Sequence, residues 1–467
     1  MTEPQTVPTD VANTGRRSIA TNGNNKLLAE DRSAHDWYRF VLSYPPHLVR
    51  DYVAKFDLGG AHSVLDPFCG TGTTLVECKK LGIASVGIEP NPMACFASRV
   101  KTRWDVDPRG LLEHAEEVAE GVRAELAASG VGDSGNLPLF ESTRRGKATP
   151  TLRALPEESR KLLITNSINP LQTHRTLVLL EHLERRREAA FYDHELLALA
   201  RALVTSISNL HFGPEVGVRV KKEDAPVVDS WLQCVRTMAE DLATLGVRAE
   251  VDVRVHAGDS RDVGEVLARE SIDAVITSPP YPNEKDYTRT TRLESVFLGF
   301  IKDRAGLREF KKRLLRSNTR NVYKGDDDDR WVADVPEIQQ IAAEIELRRI
   351  QLGKTSGFER MYNRVAKLYF GGMARHLAEL RPALRPGARL AYVVGDQASY
   401  LRVMIRTGQI LGRIAESLGY ELLGIDLFRE RLATATKEWL REEIVVLRWP
   451  ARSRGKVQGV NTRGQEP

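Results

Sequence analysis

Residues 63–92 read SVLDPFCGTGTTLVECKKLGIASVGIEPNP, and this stretch decides the fold. Val64 and Leu65 predict a short buried strand, the glycine-threonine turn ends it, the run from about Thr73 predicts a helix, and Ala84 to Glu89 predicts a second strand. Together they form a β-α-β unit. Gly70 and Gly72 let the backbone approach a ligand closely, and the helix beginning near Thr73 aims its free N–H groups and dipole at the same crevice. Asp66 closes the first strand. Glu89 closes the second, seventeen residues after Gly72, near the spacing at which an acid takes the two hydroxyls of a ribose. A Gly-x-Gly turn alone is only a tight connection; with an acid before it and another after it, the pattern points to a nucleoside ligand. The turn lacks the third glycine of dinucleotide folds, and no Gly-x-x-x-x-Gly-Lys-Ser/Thr cradle for ATP occurs.

Working outward, a helix is expected from Pro92 to Arg103, followed by residues 105–246, where apolar residues recur three and four apart and strand signal is weak. The α/β alternation resumes with AEVDVRVHAGD, SIDAVITSPPYP, RLAYVVGD near Leu390, a helix around Val403 to Leu418, and the paired strands YELLGIDLF and EEIVVLRW. Strands alternating with helices imply an α/β fold with a mostly parallel, doubly wound sheet. The expected division is a loose tail at 1–33, a first core part at 34–104, a helical insertion at 105–246, a second core part at 247–450 and a loose tail at 451–467.

Composition sets bounds. The 467 residues exceed one ordinary domain, and 42% hydrophobic with 28% charged residues excludes a largely disordered chain. Four cysteines without a CxxC pair suit a reducing compartment, so the cytoplasm is expected. No run approaches the roughly 18 apolar residues of a membrane span, and no membrane partner is expected. A net charge of +5 permits a polyanionic partner without demanding one.

A second chemical segment is Asp273 to Pro282, DAVITSPPYP, again at the end of a buried strand. Two successive prolines fix φ and remove both N–H donors, leaving carbonyls as acceptors in a rigid turn. An exocyclic amino group of a nucleobase has two hydrogens to give, and the Ser278 hydroxyl and Pro279 carbonyl could receive them. Tyr281 supplies an aromatic face for a base drawn out of its stack. In isolation this is also a proline-rich turn with a core tyrosine.

These two segments resemble the class I S-adenosylmethionine-dependent methyltransferases that act on exocyclic amines of DNA bases: DPFCGTGTT is similar to their cofactor motif and TSPPY to their catalytic motif. The resemblance implies a Rossmann-like core with a seven-stranded, mostly parallel sheet, interrupted here by the helical insertion. It implies S-adenosyl-L-methionine bound by Asp66, Pro67, Phe68, Gly70, Gly72, Thr73 and Thr74 around the methionine part, by Glu89 at the ribose, and by Asp259 at the adenine amino group. Ser278, Pro279, Pro280 and Tyr281 would grip the target base. The segment DWYRFVLSYPPHLVRDYVAKF (36–56) resembles the family's element that packs over the methionine end. A serine before Pro-Pro-Tyr is more typical of cytosine-N4 enzymes, and an aspartate or asparagine of adenine-N6 enzymes, so Ser278 favours cytosine. The expected substrate is double-stranded DNA, with a restriction or defence-system partner compatible with the resemblance. Adenine-N6 methylation, guanine-N2 methylation of RNA and a noncatalytic nucleic-acid binder of this fold are the alternatives.

No metal is expected, because the ten histidines are scattered and no Cys/His set has zinc spacing. Cys69 and Cys78 read as small buried residues, and no Pro-Cys dipeptide supports carbon-5 chemistry. Eight Lys/Arg between Lys302 and Arg320, against Asp303 and Glu309, suggest a phosphate-tracking surface. Arg185–Arg187 read as a solvated helical face. Asp326–Asp329 read as a solvated loop, and His211–Asp224 as a loop that touches DNA or links helices.

Overall fold

The computed structural model describes residues 27–40, 43–133, 151–212, 215–218, 222, 224–283, 285–432 and 437–451. Its centre is a seven-stranded sheet. Its strands are β1 (Ser63–Asp66), β2 (Ala84–Ile88), β5 (Val253–His256), β6 (Ile272–Thr277), β7 (Leu384–Gly395), β8 (Glu421–Leu432) and β9 (Trp439–Arg448), while β3 (Leu210–Phe212) and β4 (Val216–Val218) pair separately as a small antiparallel hairpin. The sheet order is β5-β2-β1-β6-β7-β9-β8, parallel from β5 to β7, with β9 antiparallel to both of its neighbours. The α/β, mostly parallel seven-stranded sheet expected from the sequence is therefore present, in the arrangement of a Rossmann-like methyltransferase.

Alternation along the strands explains the two layers around the sheet. Leu65, Val275, Leu390, Tyr392 and Val445 join one apolar cluster, while Val64, Ala274, Ile276, Ala391, Val393, Ile444 and Val446 join another. Successive side chains of a strand point to opposite faces, so a strand buried on both faces reads as a continuous apolar run. Helix α1 (Pro46–Lys55) covers the second face through Leu48, Val49, Tyr52 and Val53. Chain order runs outward in both directions from β1, toward β2 on one side and β6 on the other, which makes the crevice between these strands a topological switch point.

Helices α2 (Thr73–Lys80) and α3 (Pro92–Lys101) follow β1 and β2. The start of α3 is set by Asn91, whose side chain accepts from the Met93 and Ala94 N–H groups, and by Pro92 in the first turn. Then come α4 (Pro108–Ala128), α5 (Pro170–Glu184), α6 (Tyr192–Ala202) and α7 (Val227–Leu245). Their apolar faces meet around Trp231, whose indole N–H donates to the Glu195 carbonyl at 2.9 Å. This cluster also takes in Trp37, Val76, Met93, Ala97 and Trp104, so the helices share one continuous core with the sheet's own helices. The remaining long helices are α8 (Arg304–Lys312), α9 (Pro336–Gln351), α10 (Tyr362–Leu380) and α11 (Thr407–Ser417). No described helix is long and apolar enough to cross a membrane.

The segment before α1 is a strap joining distant parts. Ala34 N–H and the Trp37 indole donate to Asp241 on α7 (3.1 and 2.7 Å), and the Tyr38 hydroxyl donates to buried Glu294. The loose tail expected through residue 33 therefore ends sooner: Asp31 is buried and pairs with Arg50 at 2.8 Å. The rest of that tail, and residues 452–467 of the other, lie outside the described residues.

Three further expectations are corrected. The stretch His211–Asp224 contributes to the β3–β4 hairpin rather than being loop throughout. The acidic run is not a solvated loop: Asp328 is 3% exposed, held by Arg261 and Arg375, and Asp326 receives two hydrogen bonds from Arg316 at 2.8 and 2.7 Å. The basic stretch is likewise partly internal, since Arg316 is buried and Lys311 pairs with Asp286 at 3.0 Å. Charges that look solvated in the sequence neutralise each other inside.

The acidic run sits so close to α10 that a Cβ on Gly371 would stand 1.9 Å from the Asp328 carbonyl oxygen. Gly371→Ala is expected to destabilise the protein by at least about 1–3 kcal/mol, the range for overpacking, read as a lowered midpoint in chemical denaturation.

Candidate functional site

At the switch point the ends of β1 and β6 are stitched together by side chains. Asp66 is fully buried. Its Oδ1 accepts from the Thr277 hydroxyl at 2.6 Å and from the Phe68 N–H at 3.2 Å, and its Oδ2 accepts from the Tyr44 hydroxyl at 3.1 Å. Thr74 donates to the Ile276 carbonyl at 3.0 Å and touches Tyr44 as well. Burial raises the Asp66 pKa, opposed by hydrogen bonds from Thr277, Thr74, Phe68 and Tyr44. This carboxylate fixes the turn after β6 against the loop after β1.

The loop itself carries positive φ at Gly70 (51°) and Gly72 (82°), the left-handed backbone that glycine adopts without strain. The Ser98 hydroxyl donates to the Gly70 carbonyl (2.7 Å), and the buried Lys101 ammonium donates to the carbonyls of Thr71 (2.7 Å) and Tyr38 (3.1 Å). Burial pulls the Lys101 pKa down to about 7. On the other side the Gly70 N–H donates to Glu89 at 2.9 Å, and the Asn91 N–H to the second Glu89 oxygen at 2.7 Å. Glu89 is 8% exposed, and burial pushes its pKa up to about 7 against those two donors.

Together these elements wall a cavity of about 530 Å³. Of the residues singled out from the sequence, Phe68, Gly70, Thr73, Glu89, Ser278, Pro279, Pro280 and Tyr281 line it. Asp66, Pro67, Gly72, Thr74 and Asp259 are not on the wall. Asp66 and Thr74 act behind it as the stitch just described. Asp259 is engaged by Arg261, whose guanidinium bonds both carboxylate oxygens at 2.6–3.2 Å, and the wall there is the neighbouring Ser260.

Ser260 is held by His376, whose Nδ1 lies 2.6 Å from the Ser260 carbonyl and whose Nε2 lies 2.7 Å from the Tyr392 hydroxyl. Burial lowers the His376 pKa to about 4, so the ring is neutral, donating from Nδ1 and accepting at Nε2. Its edge meets Phe68 with ring centroids 5.0 Å apart.

The turn after β6 faces this loop across the cavity. The Ser278 hydroxyl donates to the Val393 carbonyl on β7 at 3.2 Å and also shares a side-chain hydrogen bond with Tyr281; with its proton on Val393 and Tyr281 at one lone pair, a second lone pair remains to accept. Burial raises the pKa of the Tyr281 phenol, which stays neutral.

Sequence reasoning missed part of the wall. Phe40, Ser43 and Tyr44 close it from the strap; all three lie in the segment already likened to a family element, but its spacing gave no residue-level signal. Thr71 lines the cavity, and its buried hydroxyl has no hydrogen-bond partner among the described residues. The outer rim is made by Lys285, Arg313, Asn321, Gln397, Arg431 and an Arg429–Glu442 pair bonded at 2.7 and 2.9 Å. Arg313 is the member of the basic stretch that reaches the cavity. Among the described residues no three His, Cys, Asp or Glu side chains are grouped to hold a metal.

Residues 34–98 match the N6/N4 family model described as DNA methylase. The chain is 26% identical over 91% of its length to the type II methyltransferase M.BsoBI of Geobacillus stearothermophilus, 87% of which is covered. It is 23% identical over 93% of its length to the type II methyltransferase M.AvaI of Anabaena variabilis, with 89% covered. A shorter match, 36% identical over 17% of the chain, is to the type II methyltransferase M.MjaII of Methanocaldococcus jannaschii.

The stitch makes a measurable demand. Thr277→Val keeps the shape of the side chain but takes a donor from a buried carboxylate. The expected cost is about 1–3 kcal/mol, measured by urea denaturation at neutral pH.

Proposed function

Because the chain belongs to the N6/N4 family of DNA methylases, we propose that its cavity binds S-adenosyl-L-methionine and methylates the exocyclic N4 amine of a cytosine flipped out of double-stranded DNA. The cavity residues fit that cofactor. Its size falls within the range of small-molecule sites, Glu89 offers a carboxylate for ribose hydroxyls, and the partnerless Thr71 hydroxyl lies on the same wall. When bound, S-adenosyl-L-methionine supplies a methyl group already activated by its sulfonium.

The chain's own contribution is placement and electrostatics. The observation that carries the reading is the Ser278 hydroxyl: with its proton given to Val393, it meets a substrate only as an acceptor. The Pro279 carbonyl is a second acceptor, and proline at 279 and 280 removes the backbone N–H groups that would compete. An amine giving one hydrogen to each is oriented with its nitrogen lone pair turned out of the base plane, and the positive charge growing on nitrogen is stabilised by the same two oxygens. The proton departs after transfer. Tyr281, neutral and on the same wall, supports the face of the base. Serine at this place in the family's turn supports cytosine over adenine. The names of the relatives support a role in a restriction-modification system, with a restriction endonuclease as partner.

Incubation with labelled S-adenosyl-L-methionine and DNA or RNA, then nucleoside mass spectrometry, is expected to yield N4-methylcytosine in duplex DNA. Label confined to N6-methyladenine would overturn the base assignment, and label confined to RNA the substrate. Ser278→Ala is expected to lower kcat by roughly 100-fold or more, the loss typical of one acceptor or donor of this kind, with cofactor affinity kept. Full turnover in that variant sinks the proposed turn chemistry.

Glu89 gives a pH prediction. Its pKa is raised to about 7, and only the ionised carboxylate accepts from both ribose hydroxyls. Cofactor affinity is therefore high above pH 7 and falls as pH drops through it, by roughly tenfold between pH 8 and pH 6. Calorimetric titration across that range should show the slope, and Glu89→Gln should bind weakly and flatten it.

A further inference from the structure

We infer that Lys285 reads the ring edge of the flipped base, donating to the N3 and O2 acceptors of cytosine, while Arg313 at the rim meets a flanking phosphate. The inference rests on the cytosine-amine reading above and assigns the part of the base which that reading leaves unmet. Once the amine hydrogens are taken by Ser278 and the Pro279 carbonyl, the same edge of cytosine presents two acceptors and no further donor. Enclosing those acceptors without a partner is costly, so the wall must offer N–H groups.

Several of the side-chain donors there are already spent. Arg429 is held bidentately by Glu442, the Thr288 hydroxyl donates to Asp286 at 2.6 Å, and the Gln397 amide donates to the Gly395 carbonyl at 3.4 Å. Lys285 is different. It stands four residues beyond Tyr281, lines the cavity and is half-buried, and its ammonium makes no hydrogen bond or ion pair with a described residue. Its root is fixed on both sides, because its N–H donates to Asn283 Oδ1 at 3.3 Å and its carbonyl accepts from Asn318 Nδ2 at 3.0 Å. Burial lowers the ammonium's pKa, with Arg431 acting in the same direction and Glu442 and Glu215 against it.

Three N–H donors on a flexible stem suit two adjacent acceptors. Adenine presents N1 but has a C2–H where cytosine has O2, so the second bond belongs to cytosine. The Arg313 guanidinium likewise makes no hydrogen bond or ion pair with a described residue, yet it is exposed, which suits a phosphate rather than an enclosed base.

The test uses the full chain and the duplex that the wild-type protein is found to methylate, with the target cytosine intact or replaced by an abasic site. Lys285→Met is expected to lose roughly 10–100-fold in kcat/KM, with melting temperature and cofactor Kd unchanged, and to shift the ratio of affinities toward the abasic duplex by a comparable factor. Lys285→Arg should recover part of the loss. Arg313→Met should weaken both duplexes alike and reduce the slope of log affinity against log salt by about 1. If Lys285→Met instead weakens both duplexes alike, it is a phosphate ligand and the inference falls; full activity in that variant overturns it too. A wild-type protein that methylates no cytosine is a failure of the earlier reading, and it shows before any variant is made.

Discussion

A carboxylate with no solvent access must fill its lone pairs from the protein, and Asp66 fills them from three separate parts of the chain. Thr277 comes from the end of the neighbouring strand, Tyr44 from the N-terminal strap and the Phe68 N–H from its own loop. The loop after β1 and the turn after β6 cannot drift apart without stranding a buried carboxylate, whose desolvation is far more costly than the gain from any single bond. The cavity is held at one width by a group that is not on its wall. The same logic repeats beneath the loop, where the Lys101 ammonium must find carbonyls and takes those of Thr71 and Tyr38. Two buried titratable groups, one acidic and one basic, thus brace the loop from opposite sides.

Much of the fold was legible because buried parallel strands leave an unmistakable trace. SVLD, IDAVIT and RLAYVVG are short apolar runs ending in turn residues, and each is a strand whose alternate residues feed two different clusters. The expected wall residues Gly70, Glu89 and Ser278–Tyr281 come from strand ends that the switch point brings together, so locating the strands located most of the site. What sequence could not supply was the direction of a side chain. Asp66 and Glu89 both close a strand before a turn, yet one is consumed by internal donors and the other lies on the wall. Nothing in local spacing separates them, because the difference arises from Tyr44 and Thr277, far away in the chain.

Charge shows the same limit. The Asp326–Asp329 run and the Lys302–Arg320 stretch look like opposite solvated surfaces when read separately. In the fold they come together: Arg316 takes Asp326, and Arg261 on the other side takes Asp328. Each run removes part of the other from solvent, so the basic character available to a polyanion is smaller than a count of residues implies, and Arg313 is the basic residue of the stretch that reaches the cavity rim.

The strap and the helix α1 that follows it find their partners far downstream in the chain. Trp37 waits for Asp241, Tyr38 for Glu294, and Tyr52 for Asp426, whose carboxylate accepts its hydroxyl. Contacts of such sequence separation form late and slow folding, because the chain between must be ordered first. The cavity is therefore completed only once residues about two hundred or more positions apart have met. A chain lacking Asp241, Glu294 and Asp426 holds the glycine loop without the anchors of the segment that closes the cavity over it.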